Sequence, residues 1–208
     1  GMRQIRARRV ATSAAMTHSD PETTSRPSPL GAGRILFLAL AAAVATSTSY
    51  TVQPELDLIA VDLGASLTST SAAAGLPILG YMLGLALLVP LVDRLPAHAL
   101  ISTQLAALAG ALLLTSAATS VEVFGAGLLL SGVCASTGAQ MSTVAAKHSR
   151  PDRRGRALGA VTAGVSAGIL AGRMIGGGLT DAVGWRAMLV VVAAACLLGD
   201  LAARRLLP

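Results

Sequence analysis

Apolar residues gather along this chain in six long blocks, at about residues 35–61, 70–92, 98–118, 121–146, 156–183 and 185–203, parted by short polar or charged breaks. At about 1.5 Å of rise per helical residue, some 20 residues cross the roughly 30 Å hydrocarbon core of a bilayer. Every block is about that long or longer. In lipid the backbone must satisfy its own polar groups within the segment, so helix is the expected form. The pattern therefore predicts an all-α polytopic membrane protein with six transmembrane helices.

Polar positions inside the blocks fall in stripes. In the first block Thr46, Tyr50, Gln53 and Asp57 share one helical face. Pro54 predicts a kink there, because it removes an intrahelical hydrogen bond. Glu55 falls on another face, beside Thr48 and Thr51. In the second block Gly80 and Gly84 have the small-residue spacing that lets another helix approach closely. In the fourth, Ser136, Gln140, Thr143 and Lys147 share a face. The third is nearly featureless after Gln104, and the sixth carries little polarity. A helix that is apolar all round can face lipid. Blocks three and six are therefore expected at the periphery, with the other four around something polar.

The fifth block is the most patterned. It reads RALGAVTAGVSAGILAGRMIGGGLTDAV, and Gly164, Gly168, Gly172 and Gly176 recur every fourth residue. Thr162, Ser166 and Arg173 share a different face. An arginine inside a span is costly and usually marks a functional site. One helix thus offers a packing face and a polar face.

Composition sharpens this picture. The 208 residues are 53% hydrophobic and 12% charged, with mean hydropathy +0.68; a soluble domain carries about twice that charge fraction. The net charge of +6 invites a nucleic-acid reading. Aromatics make up only 2% of the chain, which leaves little to stack on bases, so no nucleic-acid partner is expected. Cys134 and Cys196 lie inside apolar blocks without metal spacing; neither metal nor cofactor is expected.

Of the 16 Lys and Arg, 14 lie in the N-terminal tail, the loops after blocks two and four, and the C-terminal end. The three opposite loops hold Asp62, Glu122 and Asp181, and among cations only Arg186. That is the positive-inside pattern, with both termini cytoplasmic and the chain in the inner membrane. Residues 1–33, with Arg3, Arg6, Arg8, Arg9 and a Ser/Thr/Pro-rich run, read as a disordered basic cytoplasmic tail. Residues 34–208 form the membrane domain. The basic loop from Lys147 to Arg156 reads as an orientation signal and a contact for anionic lipid.

A single shift of the sequence superposes Gly80, Gly84, Leu91 and Asp93 on Gly168, Gly172, Leu179 and Asp181. Each unit then holds three spans, an odd number, so the copies have opposite orientation: a 3+3 inverted repeat. Gly164-Val165-Ser166-Ala167-Gly168 also fits the Gly-x-Ser-x-Gly nucleophile pattern. That pattern needs a strand-turn-helix setting and a histidine base, whereas this stretch is predicted helical and His18, His98 and His148 all fall on the cytoplasmic side. No enzyme is expected.

Three stretches carry a family likeness: YTVQPELDLIAVDLG (Tyr50–Gly64), LGYMLGLALLVPLVDRL (Leu79–Leu95) and DRRGRALGAVTAGVSAGILAGRMIGGGLTDAVGWRA (Asp152–Ala187). Together the chain resembles the N-terminal six-helix half of major facilitator superfamily transporters, in the drug/proton antiporter-like bacterial efflux branch. The likeness has departures. Val89 and Pro96 stand where the loop motif has glycines, and Ala97-His98 where it has basic residues. Arg173 replaces the proline of the antiporter motif around Gly168, Gly172, Gly176 and Gly177. Leu128 takes roughly the place of a usual arginine. Glu55 and Asp57 stand where apolar residues are usual.

The resemblance implies proton-coupled efflux of small organic molecules by alternating access, with membrane lipid, substrate, protons and a second six-helix half as partners. The expected substrate and proton pathway is Tyr50, Gln53, Asp57, Gln140 and Arg173, with an Asp57–Arg173 ion pair geometrically open. Asp93 and Arg94 would form a cytoplasmic gate. Gly80, Gly84, Gly164, Gly168, Gly172, Gly176 and Gly177 would pack helices. Two other readings stay open: a non-transporting six-helix scaffold or partner subunit, and a half-transporter working as a homodimer.

Overall fold

A computed structural model describes residues 31–207, so the basic tail lies outside the described residues apart from its last few. The described chain is helical: α1 (Ala32–Ser47), α2 (Leu56–Asp62), α3 (Leu67–Leu88), α4 (Ala97–Ser116), α5 (Val121–Ala135), α6 (Thr137–Lys147), α7 (Arg154–Val183) and α8 (Trp185–Leu206). Among the described residues, five stretches are long and apolar enough to cross a membrane: Leu67–Asp93, Ala97–Ser116, Val121–Lys147, Arg154–Val183 and Trp185–Leu206. The first apolar block differs from a single long helix. It is the shorter α1, then turns, a 3-10 segment at Gln53–Glu55, and α2.

Local chemistry explains that break. The Ser47 and Thr48 hydroxyls donate to the Val44 and Ala45 carbonyls at 2.8 Å each, and Thr51 donates to Thr48 O at 3.1 Å. These side chains compete for carbonyls near the end of the ladder, and Pro54 then removes a donor. Elsewhere the boundaries follow ordinary caps. Ser66 accepts from Ser69 N at 3.1 Å to start α3, and Ser120 caps α5. Between α7 and α8 the chain turns at Gly184, whose φ of 83° is a left-handed conformation that L side chains rarely adopt.

Two glycine seams organise the packing. Along α7, a Cβ at Gly164, Gly168, Gly172 or Gly176 would run into the carbonyl of Ala39, Ala43, Ser47 or Thr51. Both series climb four residues at a time, so α1 and α7 run parallel with backbones in contact. Along α3, a Cβ at Gly80 or Gly84 would meet the carbonyl of Leu129 or Val133 on α5, and α5 returns Gly132 against Pro77. These helices are also parallel. Without a hydrophobic force between helices in lipid, such close approach is what gains dispersion energy.

The third contact joins α4 and α8, where Leu105, Leu108, Leu112, Met188, Leu189 and Cys196 are buried. Phe124 meets Trp185 edge to face at 5.9 Å between centroids. The segment Ala97–Ser116 is among the most enclosed helices, whereas α3 and α7 expose Ile78, Met82, Leu170 and Met174. Polarity predicts which side a helix turns to a cavity, but not how many neighbours surround it. Here α4 sits between α5 and α8, and α3 and α7 stand at the open side.

Candidate functional site

Helices α1, α3, α6 and α7, with the turn after α1, enclose a cavity of about 510 Å³. These are the first, second, fourth and fifth apolar blocks, the four that carry polar stripes or close-packing glycines. Thr46, Ser49, Tyr50 and Gln53 line it from the first block, Tyr81 from α3, Ser142 from α6 and Thr162 from α7; Pro77, Ile78, Val165 and Ile169 supply apolar wall. The lining is neutral, polar in patches and otherwise apolar, a surface suited to small organic molecules more than to bare ions.

Arg173 lies beside this cavity. Its Nη2 donates to Gln53 Oε1 at 3.0 Å, and its guanidinium sits 5.5 Å from the centroid of the Tyr50 ring. Three of the predicted pathway residues therefore meet. Among the described residues no carboxylate joins them: Asp57 is exposed, and the hydrogen bond of Arg173 goes to Gln53. The stripe from Thr46 to Asp57 needs one helical register across the kink predicted at Pro54, and the turns from Thr48 to Val52 with the 3-10 segment at Gln53–Glu55 end that register before Asp57. Of the two acids after the proline, the structure buries Glu55, which sequence reasoning did not select; it is 9% exposed, with a carboxylate oxygen 3.5 Å from where a Cβ on Gly177 would stand. Gly177 thus faces Glu55 rather than a helix backbone.

Gln140 also lies elsewhere. It is fully buried and exchanges two hydrogen bonds with Gln104 of α4, at 2.7 and 3.0 Å. Two amides that satisfy each other can be buried between helices at little cost, and this pair faces away from the cavity lining. Ser49, Tyr81 and Ser142 are lining residues that sequence reasoning missed. Tyr81 carried a usable signal, as one of only two tyrosines and the neighbour of Gly80.

Asp93 ends the 3-10 turn after α3 and accepts from Lys147 at 3.1 Å, with the two side chains 78% and 52% exposed. Arg94 is exposed beside it. A pair this open contributes about 0–1 kcal/mol. It tethers the loop after the second block to the end of the fourth. The Gly-x-Ser-x-Gly stretch lies within uninterrupted α7, with Ser166 exposed.

At the other end of the bundle, Arg186 makes three hydrogen bonds. It donates to the carbonyls of Ser116 and Ala118 at 2.7 Å each and to Asp62 at 2.8 Å, and it stacks 4.3 Å from the Trp185 ring. It ties together the ends of α2 and α4 and the start of α8.

Comparison with known proteins agrees with this arrangement. The family model described as Major Facilitator Superfamily matches residues 36–208. The putative uncharacterized transporter YgaY of Escherichia coli K12 is 33% identical over 159 residues, covering 76% of this chain and 40% of that protein. The probable transporter SCO4007 of Streptomyces coelicolor is 36% identical over 196 residues, 91% of this chain and 46% of that protein. The chain thus spans under half the length of these relatives. With its apolar helices, its two parallel seams and a family match over nearly all the described residues, this multi-pass membrane chain belongs to the major facilitator superfamily.

Proposed function

We propose that the chain is one six-helix half of a secondary transporter that exports small organic molecules in exchange for protons by alternating access. The observation that carries this is the cavity at the open side of the helices, with Arg173, Gln53 and Tyr50 grouped at it. In this reading α1 with its following turns is the first of six crossings, and both termini are cytoplasmic. Parallel seams support alternation: the first and fifth crossings run one way, the second and fourth the other. The seams also fit a 3+3 inverted repeat. Gly168 and Gly172 rest on Ala43 and Ser47, as Gly80 and Gly84 rest on Leu129 and Val133. The first-to-fifth contact thereby maps onto the fourth-to-second contact.

The exposed apolar faces of α3 and α7 flank the cavity. A second six-helix half, from the same polypeptide or a second copy, would close the cavity there. Arg173 then presents donors beyond the one used on Gln53 to an anionic or polar group of the substrate. Asp93 and Arg94 serve as the inner gate, where Asp93 exchanges Lys147 for a group on the other half as the cavity opens.

The test is Arg173→Leu in the intact two-half protein, reconstituted in vesicles. Uptake or efflux should fall to background while insertion and melting stay unchanged. Undiminished transport by the variant sinks the proposal.

A further inference from the structure

We propose that a pocket between the starts of α1 and α7 binds a phosphate group, that of an anionic phospholipid headgroup. The pocket holds about 310 Å³ and is lined by Gly31, Ala32, Ile35, Ser149, Arg150, Arg153, Arg156 and Ala157. Four independent features point to an anion. First, α1 and α7 run parallel, so their N-termini lie at the same end of the bundle. Each contributes unpaired N–H groups and the positive end of a helix dipole. Neither helix has an acidic residue in its first turn, and neither N-cap residue, Gly31 or Arg153, makes a side-chain capping bond.

Second, three arginines face the same hollow. The only acid paired with any of them among the described residues is Asp152, which Arg150 and Arg153 share at 3.3 and 3.9 Å. Third, Ser149 is half-buried in this lining, and its hydroxyl has no hydrogen-bond partner among the described residues, a condition that a bound oxygen would relieve. Fourth, with both termini cytoplasmic, as proposed above, the two helix starts lie at the inner membrane surface. Helix ends that leave the hydrocarbon meet the layer where a bilayer places its phosphates. Guanidinium forks grip phosphate oxygens in pairs, and Ile35 with Ala157 offers an apolar floor towards the acyl chains. A phosphate held there would bridge the two helices of the α1–α7 seam at its inner end.

The test uses the whole chain, purified, stripped of lipid, and titrated by native mass spectrometry. Three probes are compared: phosphatidylglycerol, phosphatidylcholine of equal chain length, and inorganic phosphate. Phosphatidylglycerol should bind about tenfold or more tightly than phosphatidylcholine. The R150Q/R153Q/R156Q variant should lose that preference. Because lost basic charge could disturb insertion, R150K/R153K/R156K is the second variant; it keeps the charge, removes the forks, and should bind several-fold more weakly than the unaltered chain. R204Q/R205Q, at the basic end of α8, should behave as the unaltered chain does. Equal retention of both lipids, or full preference in both loop variants, overturns the site. Inorganic phosphate binding as tightly as the anionic lipid overturns the lipid as its source.

Discussion

Arg173 and Arg186 sit on consecutive helices and are the two arginines outside the basic ends and loops, yet the fold treats them differently. Arg186 gives its donors to two carbonyls and a carboxylate and lays its plane on an indole. Arg173 makes one bond to a neutral amide and faces a phenol ring at longer range. A guanidinium has five N–H donors. Those of Arg186 are largely taken, so it fastens loops. Those of Arg173 are largely available beside a cavity, so it is placed to receive a ligand. Charge in a membrane segment flags function only by default; the unused hydrogen-bonding capacity separates the functional case from the fastening one.

Exchanging each arginine for leucine should therefore give opposite results. Arg186→Leu should lower the detergent melting stability by about 2–3 kcal/mol, because two part-buried carbonyls lose a charged donor, while the half-exposed Asp62 arm adds little. Arg173→Leu should leave melting unchanged while removing transport, and a large drop in its melting temperature would erase the contrast. Gly168→Leu comes next. It places a side chain where the Ala43 carbonyl lies, so it should cost about 1–3 kcal/mol by overpacking and widen the α1–α7 spacing, which spin labels on the two helices can read.

A smaller effect belongs to the amide pair. Gln140→Leu should destabilise by about 1–2 kcal/mol, since Gln104 is left buried and unpaired, and the double change to leucine should recover most of it. If Gln140→Leu left stability intact but altered substrate preference, Gln140 would return to the pathway. Smallest is Asp93→Asn, expected to shift stability by under about 1 kcal/mol while changing transport if the residue gates.

The helices were legible because hydrocarbon length and hydropathy are one-dimensional quantities. Blocks two to six each contain a helical stretch of spanning length, that of block four being α5 and α6 end to end. The glycine spacing along block five is likewise a linear pattern, and its four members lie on one seam. Asp57 shows the limit. A periodic stripe assumes an unbroken screw axis, and serine and threonine hydroxyls near residue 48 end it before Pro54. Gln140 shows another: its face was readable, but whether that face met Gln104 or the cavity depended on how α6 rolled against α4. Glu55 was passed over for the same reason, because Gly177, which faces it, is far along the chain.

Taken alone, the sequence determined that the chain lives in lipid, roughly where its apolar helical blocks lie, and which residues are small enough for backbones to touch, since each follows from local composition and spacing. The tertiary structure decided which polar side chains answer one another. Gln104 and Gln140 close on themselves, Arg186 is bound by the ends of two other helices, and Arg173 is left open beside the cavity. Partnership between distant side chains is a matter of helix rotation and depth, which a few ångströms of packing settle and no linear pattern records.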